Sequence, residues 1–162
     1  MLRGFDYGLA AMLGIAIVYG VAWSVVALTW GLIAIGVGGG WLVGVAVREG
    51  ATRGRRAEAA RNGADTIDEE DRPVAAPTRG LSTLGALLGA GAWVAGSYVA
   101  FAIIQLIEGS GSLFDPGKLA EFMTASLQVE PTWLQPAVLA GFVVGGWIGA
   151  RPRHPRPAAL AR

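Results

Sequence analysis

From Tyr7 to Val47 the chain runs forty-one residues without an Asp, Glu, Lys, Arg, His, Asn, Gln or Pro. As one helix rising about 1.5 Å per residue, this run would be about 60 Å long, twice the hydrocarbon thickness of a bilayer. It therefore predicts two membrane-spanning helices joined by a tight turn. A break at Gly38-Gly39-Gly40 would leave only Trp41 to Val47 for the second helix, far short of the roughly 17 to 25 residues that a crossing needs. A break at Leu28-Thr29-Trp30-Gly31 instead gives spans of about 5–28 and 32–47 and sets Trp30 at the water boundary, where amphipathic aromatic rings settle. The second span is slightly short, and Arg48 can lengthen it by snorkelling its charged head to the interface.

Polar residues return at Arg48. The connector 48–80 carries seven Arg and seven acids. Its first part, Arg48 to Asn62, is rich in Ala and Arg and can prolong the second helix, with Glu49 four residues before Arg53 as a helical pair, although Gly50 and Gly54 oppose this. The second part, Gly63 to Arg79, holds the acidic run Asp68-Glu69-Glu70-Asp71, then Pro73 and Pro77, and reads as a linker. A third apolar run, about 81–107, has no formal charge until Glu108, and a fourth, about 133–150, follows Pro131 with Pro136 in its first turn. The loop 108–132 between them opens on Gly109-Ser110-Gly111-Ser112 and then pairs Asp115 with Pro116 as a helix start. Leu119, Phe122, Met123 and Leu127 recur there at helical spacing, which predicts a short amphipathic helix lying on the membrane or capping the bundle end.

The pattern thus predicts an all-α polytopic membrane protein. A first transmembrane hairpin takes 1–47, a charged connector 48–80, a second hairpin 81–150 with its loop 108–132, and a basic tail 151–162. Composition agrees: 53% of the 162 residues are hydrophobic and 15% charged, against roughly 25% charged in an ordinary soluble domain. Cysteine is absent, which removes disulfides, thiolate metal sites and Cys nucleophiles. The N-terminus resembles the start of a secretory signal, but its apolar run is too long and lacks a small-x-small cleavage site, so it is expected to be retained.

The net charge of +1 conceals a strong segregation. With four crossings, twelve arginines (Arg3, the seven of the connector, and Arg151, Arg153, Arg156 and Arg162) fall on one side, against Lys118 alone on the other. The positive-inside rule then makes both termini and the connector cytoplasmic. Short connectors, the missing cysteine and arginine in place of lysine lean towards a bacterial inner membrane.

The second and fourth spans share a further pattern. Gly36, Gly40 and Gly44 repeat every four residues, as do Gly141, Gly145 and Gly149, and Gly39-Gly40-Trp41-Leu42 resembles Gly145-Gly146-Trp147-Ile148. Ala22-Trp23 and Ala92-Trp93 recur in the first and third spans, which suggests two copies of a helical hairpin. Small residues at this spacing let helix backbones approach closely, so these rows, with Gly85 and Gly89 of the third span, are candidate packing faces within the bundle or toward a partner or second copy.

Candidate chemistry is sparse. Ionisable groups inside a bilayer usually mark ion or proton pathways, and none lies well inside a predicted span. Tyr19, Ser24, Ser97 and Tyr98 can form a small polar patch between the first and third helices, or simply bond to backbone carbonyls. Arg53, Arg55, Arg56, Arg151, Arg153 and Arg156 are placed to meet anionic lipid headgroups. The lone His154 lies in a Pro-Arg tail without the convergent ligands of a metal site. Walker, HExxH and Gly-x-Ser-x-Gly signatures are all missing. No enzyme activity, cofactor, metal or nucleic-acid partner is expected. The expected partners are the lipid bilayer and another membrane protein or a second copy. The sequence points first to an accessory or scaffold subunit, and second to an oligomeric small-solute channel or permease.

Overall fold

The structure of the protein, a computed structural model, describes residues 2–25, 29–61, 79–109, 115–128 and 131–151. These residues form five helices and no strand: α1 (Leu2–Val25), α2 (Thr29–Arg61), α3 (Arg79–Glu108), α4 (Pro116–Leu127) and α5 (Leu134–Gly149). Within α1, α2 and α3, the stretches Arg3–Ser24, Trp30–Gly54 and Gly80–Glu108 are long and apolar enough to cross a membrane, whereas α5 is a shorter apolar helix of 16 residues.

Helix limits differ from the predicted spans in two instructive places. Thr29, Trp30 and Gly31, expected in the first turn, already belong to α2; residues 26–28, which include Leu28 of the expected turn, lie outside the described residues. At its other end α2 continues through Gly50 and Gly54 to Arg61 despite their low helix propensity. These glycines are packing positions. A Cβ at Gly50 would strike Tyr7 and the backbone of α1 at Gly4, and one at Gly54 would lie 3.5 Å from Arg3. Tertiary contact with α1 thus outweighs the roughly 1 kcal/mol that each glycine costs a helix. The acidic linker and the tail beyond Arg151 lie outside the described residues.

Small residues set how the four long elements pack. Gly36, Gly40 and Gly44 turn to α5, where an added Cβ would run into backbone atoms of Val138, Phe142 and Gly146 to Ala150. Gly141, Gly145 and Gly149 turn back to the Val37 and Trp41 backbone, so α2 and α5 lie parallel and in close contact. On its other side α5 meets Gly85 and Gly89 of α3, which runs antiparallel to it. α1 runs beside α3 through Gly20 and Gly96 and antiparallel to α2 through Gly4 and Gly8. The resulting bundle has cyclic order α1, α2, α5, α3, and its interior holds Tyr19, Phe101, Phe142, Val43, Val47 and Val138, all fully buried.

This order gathers the arginines at one end. Arg3 packs beside Gly54, Arg53 donates to the Tyr7 hydroxyl at 3.4 Å, and Arg48 donates to the carbonyl oxygen of Arg151 at 3.3 Å. At the opposite end the Trp30 and Trp133 rings stand 6.3 Å apart, with Trp30 77% exposed. The sides between are covered by exposed Leu13, Ile17, Val37, Leu87, Val94 and Val144.

The matching Ala-Trp pairs do not sit level. Gly91 lies against Met12, and Gly96 against Ala16. Trp93, between them, is therefore level with the α1 turn at those residues rather than with Trp23.

Candidate functional site

Beneath the Trp30 end, three helices meet on one amide. Gln135, 4% exposed, sits in the first turn of α5 just before Pro136. A proline there needs no backbone N–H, and the turn is started by the Leu134 N–H donating to the Pro131 carbonyl at 2.9 Å. The Gln135 Oε1 accepts two hydrogen bonds, from the Tyr19 hydroxyl of α1 at 3.0 Å and from the Trp93 indole N–H of α3 at 3.3 Å. One carbonyl oxygen with two lone pairs thus satisfies two buried donors and ties α1, α3 and α5 together.

An aromatic stack leads from this node to α4. Tyr19 meets the Phe142 ring edge-on at 5.4 Å and Trp23 at 5.7 Å. Phe122 of α4 then lies 5.4 Å from Trp23 and 5.6 Å from Phe101. Asp115 caps α4 by accepting from the Gly117 and Lys118 backbone N–H groups at 2.9 and 3.2 Å. Phe122, Met123 and the buried Ser126 face the bundle, whereas Leu127, expected on this stripe, is exposed. Ser126 takes that place, three and four residues beyond Met123 and Phe122, with its hydroxyl returned to the Met123 carbonyl at 2.8 Å. α4 therefore closes the bundle end through Phe122.

The four hydroxyls predicted as a polar patch have separate fates. Tyr19 belongs to the node. Ser97 is fully buried and donates to the Trp93 carbonyl at 2.8 Å, and Ser24 donates to the Val21 carbonyl at 3.1 Å. Tyr98 is half-buried beside Phe101, ring centroids 6.5 Å apart. Gln135 was absent from the predicted set although an uncharged amide inside the fourth apolar run was the signal available.

Of the predicted headgroup arginines, Arg53 is exposed and its guanidinium lies 5.5 Å from the centre of the Tyr7 ring. Arg151 is exposed and stacks 3.6 Å over Trp147. The side chains of Arg55 and Arg56, and all of Arg153 and Arg156, lie outside the described residues.

Two surface depressions lie among the described residues. A cleft of about 410 Å³ between α3 and α4 is lined by Phe101, Gln105, Glu108, Lys118, Glu121 and Phe122. An apolar groove of about 570 Å³ runs along the outer seam of α2 and α5 past Val37, Gly38, Trp41, Ala140, Val144 and Ile148. Among the described residues no Asp, Glu, Lys, Arg or His is buried, and no three acids or histidines converge as metal ligands. The buried node can brace helices; it pairs no nucleophile with a base. Comparison of the chain with protein-family models, curated proteins and solved structures finds no match.

Proposed function

We propose that the protein is a four-crossing integral membrane protein of a bacterial inner membrane, acting as a non-enzymatic accessory or scaffold subunit with both ends in the cytoplasm. The fourth crossing is α5 with its flanking turns. Packed against α2, it reaches from Trp30, opposite Trp133, to Arg48, bonded to Arg151. These α2 positions are 18 residues apart, about 27 Å of helix, close to the roughly 30 Å of a hydrocarbon core. Tryptophans at one end, and Tyr7 and Trp147 under arginines at the other, suit the two interfaces of such a layer. The arginine end then faces the cytoplasm and α4 the outside. Parallel glycine rows on α2 and α5 support an ancestral hairpin duplication in which α1 and α3 have since shifted in depth.

The scaffold reading rests on one observation: among the described residues, every buried side-chain N or O atom already has a hydrogen-bond partner. An interior of this kind holds shape and leaves recognition to the outer surface. Copurification from native membranes in mild detergent, followed by mass spectrometry, should recover a membrane-protein partner in fixed stoichiometry. Recovery of the lone monomer from native membranes would contradict it.

A further inference from the structure

We propose that the α2–α5 groove is a binding site for an anionic phospholipid of the arginine-side leaflet, with one acyl chain in the groove and the phosphate on Arg151. The inference rests on the membrane placement above and goes beyond general contact between arginines and headgroups.

Three observations converge on this occupant. The first is the groove's chemistry and depth. Its wall is almost wholly apolar, from Ala137 and Val37 to Trp41 and Ile148. Ala137 to Ile148 rises about 16 Å and ends one turn short of Arg151, so a single acyl chain whose headgroup lies at Arg151 can follow the groove from that end. The second is that the groove is open by design of its small residues: a Cβ at Gly38 would meet nothing within 4 Å, and Ala140 is exposed.

The third is charge complementarity at the mouth. Val144 and Ile148 share one face of α5, and Arg151 follows just beyond its end with its N–H donated to the Ile148 carbonyl at 3.1 Å, while Trp41 and Arg48 share one face of α2. Both stripes therefore run out of the groove into a guanidinium. Arg48 is engaged already, since it donates to the Arg151 carbonyl and lies 3.6 Å from the Glu49 carboxylate. Arg151 differs. It is exposed, and Arg48–Glu49 is the ion pair found at this end among the described residues. Its guanidinium carbon lies 3.6 Å from the centre of the Trp147 ring, a contact through the face of the cation that leaves N–H groups able to meet a phosphate. A zwitterionic headgroup would satisfy the same chain pocket with less net attraction, so the geometry selects for negative charge.

The test is native mass spectrometry of the full chain released from nanodiscs containing equal phosphatidylglycerol and phosphatidylcholine. The wild-type chain should retain one phosphatidylglycerol preferentially. Arg151→Gln should reduce that preference about fivefold, the effect of losing one interfacial cation. Gly38→Leu, which fills the groove without touching the helix contacts, should abolish the retained lipid of either kind. Arg3→Gln, at the same end but on α1 beside Gly54, should leave it unchanged. Equal loss in Arg3→Gln and Arg151→Gln would reduce the effect to diffuse surface charge and overturn the site. A lipid-free dimer lost in Gly38→Leu would overturn it in favour of a second copy. Failure of the membrane reading itself is distinguishable, because the chain would then not enter nanodiscs at all.

Discussion

Gly40→Leu is expected to break the bundle, at a cost of about 3 kcal/mol or more, the upper range for forcing bulk into a packed interior. A Cβ there already comes within 2.9 Å of the Phe142 backbone, and backbone cannot swing aside as a side-chain tip can. The two helices would have to separate along the whole row from Gly36 to Gly44. In lipid that loss is not offset by burying the exposed faces elsewhere, because van der Waals packing is what holds the helices together there. The companion variant Gly14→Ala should do the opposite. Gly14 has nothing within 4 Å of its missing Cβ, so it should gain up to about 1 kcal/mol from helix propensity. Unfolding by denaturing detergent in mixed micelles, followed by circular dichroism, measures both. Similar stability for Gly40→Leu and wild type would mean that α2 and α5 are not in backbone contact.

Gln135→Leu should be the next most damaging change, costing about 2 kcal/mol, because it strands the Tyr19 hydroxyl and the Trp93 N–H in an apolar interior. Interhelical hydrogen bonds in membranes are individually modest, so the penalty comes mainly from the unpaired donors. That origin has a signature. Tyr19→Phe alone removes one bond, at about 1 kcal/mol, but introduced into Gln135→Leu it removes a stranded donor and should recover part of the loss. The same micelle titration read as a double-mutant cycle tests this. Strict additivity would show that Gln135 does not bridge Tyr19 and Trp93.

Much of the architecture was legible because charge-free runs of this length have few alternatives. The run from Tyr7 to Val47 had to be two helices, and α1 and α2 are what it becomes. Asp115-Pro116 likewise marked the start of α4 from local capping chemistry alone. What escaped depends on contacts between distant residues. Gly50 and Gly54 argued locally for a helix end, and only Arg3, Gly4 and Tyr7 packing against them explains why α2 continues. A glycine row announces a close approach without naming the approaching helix. Gln135 is a single polar letter whose meaning comes from Tyr19, 116 residues away in sequence. Ser126 was hidden for a different reason: a serine on an apolar stripe looks like a break, although returning its hydroxyl to the Met123 carbonyl lets it be buried.

The membrane topology is most directly measured by single-cysteine accessibility, which the cysteine-free chain permits without prior substitution. Cysteines would be introduced as Leu2→Cys, Glu49→Cys, Glu121→Cys and Gln128→Cys, and by addition after Arg162, then challenged with a membrane-impermeant maleimide on intact cells. Four crossings require labelling at 121 and 128 from outside, and at 2, 49 and the C-terminus only after permeabilisation. Labelling of the two termini from opposite faces, or recovery of the protein in the soluble fraction, would contradict a bundle whose arginine ends share the cytoplasm.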